Sequence, residues 1–263
     1  MTAFETDGFL STEMSAFEQA IATRYSRKLQ LAEETNRMAH RVIYSVKPHN
    51  EHLPDLMLAS LLTRQLSAFQ GFLILLGKGM ETQAQILLRN LAEMMFITGA
   101  IGKDKTFVGR YAQSEDITRA KALEAIVRDK RRRGEDVEQR TTELIEELRA
   151  RIRRDGLTTF STERIAEIAG LSSYYDTLYR FTSMAAHASP RELNSAFEVD
   201  ASGNVASLSY EPVVDDLDMH LDYGITIMLY TLHETASHFA IDGVDDIEKL
   251  QRANAELAGP ARR

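Results

Sequence analysis

The chain has 263 residues, 44% of them hydrophobic, and 31 Lys and Arg against 39 Asp and Glu give a formal net charge of −8. Cysteine is absent, which excludes disulfides, thiol catalysis and Cys-type zinc sites, and the acidic balance excludes nucleic-acid binding driven by attraction over the whole surface. The length suits one elaborated domain over residues 1–263. The N-terminus has no basic region followed by an apolar run, and no uninterrupted apolar run reaches about 18 residues, so a soluble cytoplasmic chain without membrane contact is expected.

From Ser11, a plausible N-cap, the apolar residues Met14, Phe17, Ile21, Tyr25, Leu29, Ala32, Ala39, Val42 and Val46 keep helical spacing up to Pro48. The pattern predicts one long amphipathic helix, with a break near Thr35 and Asn36. His49, Asn50, Glu51 and His52 follow as a polar link before Pro54. Two histidines three apart hold a metal only if further ligands converge, so no metal is assigned here and no cofactor elsewhere. Leu56 to Leu76 and Met80 to Ile101 are strongly apolar helical stretches joined by Gly77-Lys78-Gly79, which predicts an antiparallel hairpin of core helices. Residues 11–101 therefore form the N-terminal long helices.

Arg89 and Glu93, four apart, share a helix face with Ile86, Phe96 and Ala100. A charge pair among apolar residues must be answered, by itself or by a third group, because an unpaired buried charge costs several kcal/mol. The pair either fixes helix register or supports a site. Residues 103–155 are mostly charged, with Gly134 as a turn between two helices, the second over Val137 to Arg154. This hairpin is expected to project from the core or to meet a partner chain. From Arg128 to Asp155 ten basic and eight acidic residues leave a local +2 and −10 for the rest. Any RNA contact would use that local patch.

Thr162 is read as an N-cap for a short helix ended by Gly170, and a second helix runs from about Ser172 until Pro190 stops it, within residues 162–190. At about 100° per residue, the seven steps from Arg180 to His187 fall roughly 20° short of two turns. Both therefore point the same way about 10 Å apart, with Ser183 on nearly that face. A guanidinium, a hydroxyl and an imidazole would line one edge. Two readings fit them: a structural polar network, or a site where His187 moves a proton while Arg180 neutralises a phosphate.

Leu193 to Val199 and Val205 to Tyr210, around the turn residues Asp200 to Asn204, predict a β-hairpin within 193–210 that lies on the helices. The last long helix is expected from Pro212 to Ala240, followed by a short polar helix, within 212–250. Its Asp215, Asp216, Asp218 and Asp222 suit a helix N-terminus without a metal. His233 and His238 imitate the zinc-protease motif with one residue too many. Five steps turn their rings about 140° apart, so they cannot share an ion.

Leu88-Arg89, Glu93 and, about ninety residues later, Leu178-Tyr179-Arg180, Ser183 and His187 resemble an uncharacterised family of bacterial all-helical proteins, a domain of unknown function, over roughly residues 50 to 240. The Arg180-x6-His187 spacing is also similar to the R-x4-6-H signature of HEPN domains, many of them metal-independent ribonucleases in toxin and phage-defence systems. That likeness implies a homodimer in which His187 assists attack of an RNA 2′-hydroxyl and Arg180 steadies the phosphate. Ser183, Arg89, Glu93 and Tyr179 would support them. The sequence thus implies an all-α bundle with one small β-hairpin. It acts either as such a ribonuclease or as a non-catalytic helical module that binds a protein partner or a small ligand.

Overall fold

The computed structural model describes residues 2–186, 196–208 and 210–258. It is an all-α bundle with one two-stranded sheet. At its centre α4 (Leu53–Gly77) and α5 (Glu81–Lys103) form the antiparallel hairpin that their apolar spacing predicts. Pro54 opens α4 in the first turn, where its missing N–H costs no helical bond. The reversal at Gly79, at φ +70°, is pinned by the Val213 N–H donating to its carbonyl at 3.0 Å. A Cβ there would meet Val213 backbone at 2.8 Å, so this position needs glycine for its conformation and for its space.

Before this hairpin stand α1 (Ala3–Asp7), α2 (Met14–Arg24) and α3 (Ser26–Ser45). The break in the N-terminal helix falls at Tyr25 and not near Thr35, which is fully buried inside α3 with its hydroxyl donating to the Leu31 carbonyl at 2.8 Å. The Tyr25 hydroxyl donates to the Val214 carbonyl and accepts from the Leu217 N–H, so tertiary hydrogen bonds set the bend. Ser11 caps no helix directly, since α2 begins at Met14, but its hydroxyl accepts the Glu13 N–H at 3.1 Å.

After α5 come α6 (Phe107–Arg132) and α7 (Gln139–Asp155), turned at Gly134. These two pack mainly on one another through Leu148, Ile145, Val127 and Ala120, while the start of α6 is anchored in the core by Phe107 and Val108. Salt bridges from Arg149 to Glu124 and from Arg151 to Asp116 line the outside of the pair. Helix α8 (Thr162–Ala169) is capped by Ser161, one residue before the expected Thr162, and its Oγ accepts the Arg164 N–H. It ends at Gly170 in the left-handed conformation. Then α9 (Ser172–Tyr174) runs into a π-helical stretch, Tyr175–Tyr179, and on into α10 (Arg180–Ala186).

Strands β1 (Phe197–Val199) and β2 (Val205–Leu208) pair antiparallel, with Phe197 opposite Leu208. The hairpin was expected to lie on the helices, but every residue of both strands is exposed. Its apolar residues Phe197, Val199, Val205 and Leu208 pair across the two strands but are left exposed, so it stands off the core.

The last long helix, α11 (Asp218–His238), starts later than Pro212, and α12 (Val244–Ala258) follows it. The residues before α11 are held by the contacts to Gly79 and Tyr25. Gly224 of α11 lies against the Phe72 ring of α4; a Cβ there would come within 2.5 Å of it. One apolar core, containing Ile21, Phe69, Leu91, Phe96, Leu178, Met228 and Ile247, joins α2 through α5, the α8 to α10 segment, α11 and α12. Helix α4 has an 18-residue window of mean hydropathy 1.2, long and apolar enough to cross a membrane by those measures alone. Here Leu58, Leu62, Phe69 and Phe72 are turned into the core against α5 and α11.

Candidate functional site

The π-helical turn does the local work. A π turn carries one more residue than an α turn and displaces the side chains that follow. Tyr179 closes this one with its ring 8% exposed, edge-on to Phe96 of α5 and stacked on Tyr175 at 5.2 Å. Its hydroxyl accepts a hydrogen bond from Arg89 Nη2 at 2.7 Å and donates to Glu93 Oε1 at 2.9 Å. The Arg89–Glu93 ion pair closes the triangle at 3.2 Å, and the guanidinium carbon lies 5.0 Å from the Tyr179 ring centroid. Both charged side chains are about two-thirds buried, so the pair is answered by itself and by a third group, as burial demands.

Ser183 is half-buried, and its hydroxyl donates to the Tyr179 carbonyl at 2.6 Å. It secures the helix rather than the polar triangle. Arg180, one residue beyond Tyr179, turns the other way. Its side chain is 61% exposed, its guanidinium sits over Tyr175, and Asp176 and Glu163 are the carboxylates beside it at 3.4 and 3.9 Å. It makes no hydrogen bond to any other described residue. The residues assigned from the sequence to the candidate site and its support therefore divide. Arg89, Glu93 and Tyr179 meet inside, Ser183 holds the turn, and Arg180 faces solvent. His187 lies outside the described residues.

A second cluster was not found from the sequence. Asp55, in the first turn of α4, is 3% exposed and surrounded by three imidazoles. His52 Nδ1 is 2.5 Å and His238 Nε2 2.7 Å from Asp55 Oδ1, while His49 Nδ1 is 2.7 Å from Oδ2, which also accepts the His49 N–H. Burial alone would push the Asp55 carboxyl up. The hydrogen bonds from His238, from the backbone and ring of His49, and from His52 outweigh it and hold the carboxyl well below the usual range. An open cavity of about 970 Å³, lined also by Lys47 and Asp242, reaches the cluster. His233, of the near-motif, is not among these ligands and has Glu234 at 3.9 Å. Only the His49-x2-His52-x2-Asp55 spacing hinted at this group, because its last member is 183 positions from Asp55.

Three of the four aspartates around the start of α11 have cationic partners. Lys28 reaches Asp218 at 2.9 Å and Asp222 at 2.7 Å, and Arg24 pairs with Asp215.

Fold and site together define an all-helical protein organised around a polar triangle at a π-helical turn. Its residues 55–205 match the model of a family of unknown function, DUF5677. The match spans more than half of the chain, which belongs to that family and carries within the matched part Asp55, Arg89, Glu93, Tyr179, Arg180, Ser183 and His187. No curated protein and no solved structure matches it.

Proposed function

We propose that the chain is a HEPN-like, metal-independent ribonuclease, with Arg180 contacting phosphate and His187 transferring the proton. The observation that carries this reading is the condition of Arg180: exposed, without a hydrogen bond among the described residues, and projecting from a turn whose other side is fixed by the Arg89–Tyr179–Glu93 triangle. Exposed ion pairs as long as those to Asp176 and Glu163 are worth at most about 1 kcal/mol, so a phosphate can take their place. A planar guanidinium offers two parallel donors to phosphate oxygens and never loses its charge.

In this reaction the imidazole of His187 accepts the proton of an RNA 2′-hydroxyl. The oxygen attacks the adjacent phosphorus, and the bond to the 5′-oxygen breaks as that oxygen takes up a proton. A 2′,3′-cyclic phosphate and a 5′-hydroxyl result, with Arg180 stabilising charge on the phosphoryl oxygens. Pairing of two such edges in a homodimer, RNA held by the basic run around Arg131, and a cytoplasmic role as a bacterial toxin or phage-defence effector belong to the same reading.

A specific observation favours a second reading, a non-catalytic module that binds a small ligand or a protein. An open cleft of about 440 Å³ between α4, α5 and α6 is lined by Leu61, Met94, Ile97 and Tyr111 and has Glu93 and Arg64 at its polar side. Arg64 makes no hydrogen bond or ion pair among the described residues.

Mixed RNA incubated with the full chain in chelator separates the two. Cleavage leaving cyclic-phosphate ends, lost in Arg180→Ala and in His187→Ala while both variants keep the wild-type melting temperature, is the expected result. Intact RNA with every protein, together with lower melting temperatures for the variants, would replace the nuclease with the binding module.

A further inference from the structure

The cluster at the start of α4 asks for an explanation that the Arg180 edge does not supply. We propose that His52, Asp55 and His238 form a site for a divalent transition-metal cation, Zn²⁺ by the chemistry of its donors, with His49 as the outer partner that orients the carboxylate. His52 Nδ1, an Asp55 carboxylate oxygen and His238 Nε2 all lie within 4.8 Å of one another. Two imidazoles and one carboxylate are a borderline-soft donor set that suits zinc and its neighbours better than calcium or magnesium.

The two imidazole nitrogens now share one oxygen, at 2.5 and 2.7 Å. Around tetrahedral zinc, with bonds of about 2.0–2.1 Å, neighbouring ligand atoms stand about 3.3 Å apart. For the ion to enter, each ring must withdraw from Asp55 Oδ1 by about 0.6 to 0.8 Å. Helix α4 fixes the buried carboxylate, but the His52 side chain is 56% exposed in the preceding segment and has room to move. His49 donates from both its backbone N–H and its ring to Oδ2, which leaves Oδ1 turned toward the other two ligands. This is the part that outer-shell partners play at metal sites.

Three protein ligands beside an open cavity leave a fourth position for water or another ligand, and the cavity gives the ion a way in. Asp55 collects four hydrogen bonds, three from His49 and His52 nearby in sequence and one from His238, 183 positions away.

The test is titration of tag-free, chelator-stripped full chain with Zn²⁺ by calorimetry, and with Co²⁺ by visible absorption. The expected result is one ion per chain, a tetrahedral-type Co²⁺ band displaced by Zn²⁺, and a melting temperature that rises with Zn²⁺. His238→Ala and His52→Ala should each weaken binding at least 100-fold, His49→Ala by roughly 10–100-fold, and His233→Ala not at all. Because His52 is exposed, His52→Ala keeps the fold and reads the site even if His238→Ala does not. Absence of saturable one-to-one binding, or binding that survives unchanged in His52→Ala, would overturn the proposal.

Discussion

Tyr179 joins two charges through one oxygen, and that makes its hydroxyl a measurable part of the fold. In Tyr179→Phe, Arg89 Nη2 loses its nearest acceptor and Glu93 Oε1 a donor, in surroundings where Arg89 Nε is already buried without a partner. A loss of about 1–3 kcal/mol in chemical denaturation is expected. The loss should be non-additive with Glu93→Gln, because the two changes strike one network. Additive effects would mean that the triangle does not act as a unit. His220 offers a residue-scale test of pH dependence. Burial outweighs the pull of Glu81 and lowers its pKa below the ordinary 6.5. The unfolded chain then takes up a proton near pH 6.5 while the native chain resists until lower pH, so stability falls as pH drops from about 7 through that interval. His220→Gln should flatten this slope in melting curves between pH 7.5 and 5.5; an unchanged slope would assign it to other groups. Arg89 and Glu93 were legible in the sequence because an i,i+4 charge pair among apolar residues demands a partner. That Tyr179 answers both was not, since it depends on a π turn that leaves no spacing signature in the Ser172 to Ser189 segment.

At the level of elements, the legible parts are those with a strong apolar period, α4 and α5 above all. The break between α2 and α3 was misplaced because it is set by hydrogen bonds from Tyr25 to Val214 and Leu217, nearly two hundred positions away. For the same reason the His52, Asp55 and His238 group was missed: distance along the chain hides convergence in space. Helices α4 and α11 approach closely where Gly224 meets Phe72. Gly224→Ala forces that ring aside and should cost about 1–3 kcal/mol, read as a lower melting temperature, whereas Gly134→Asn, at a turn with open space around it, should cost less. Leu148, fully buried between α6 and α7, tests how independent that charged pair is. Leu148→Ala should raise hydrogen exchange across 120–155 while leaving α4 and α5 protected. Equal loss of protection in both would show that the pair and the core unfold together.

For the whole molecule, the acidic balance remains, yet the exposed cation at Arg180 and the histidine cluster at Asp55 are separate in residue and in chemistry. A chain with net charge −8 that meets RNA must do so locally, and raising salt should weaken a contact resting on few cations only modestly. The two assignments make opposite demands on metal ions. The most direct measurement is therefore cleavage of end-labelled RNA by wild type, Arg180→Ala and His238→Ala, each in excess chelator and in Zn²⁺. Cyclic-phosphate products are expected from wild type and His238→Ala in chelator, and none from Arg180→Ala. Cleavage by Arg180→Ala at the wild-type rate, or no cleavage by any protein in either condition, would contradict it.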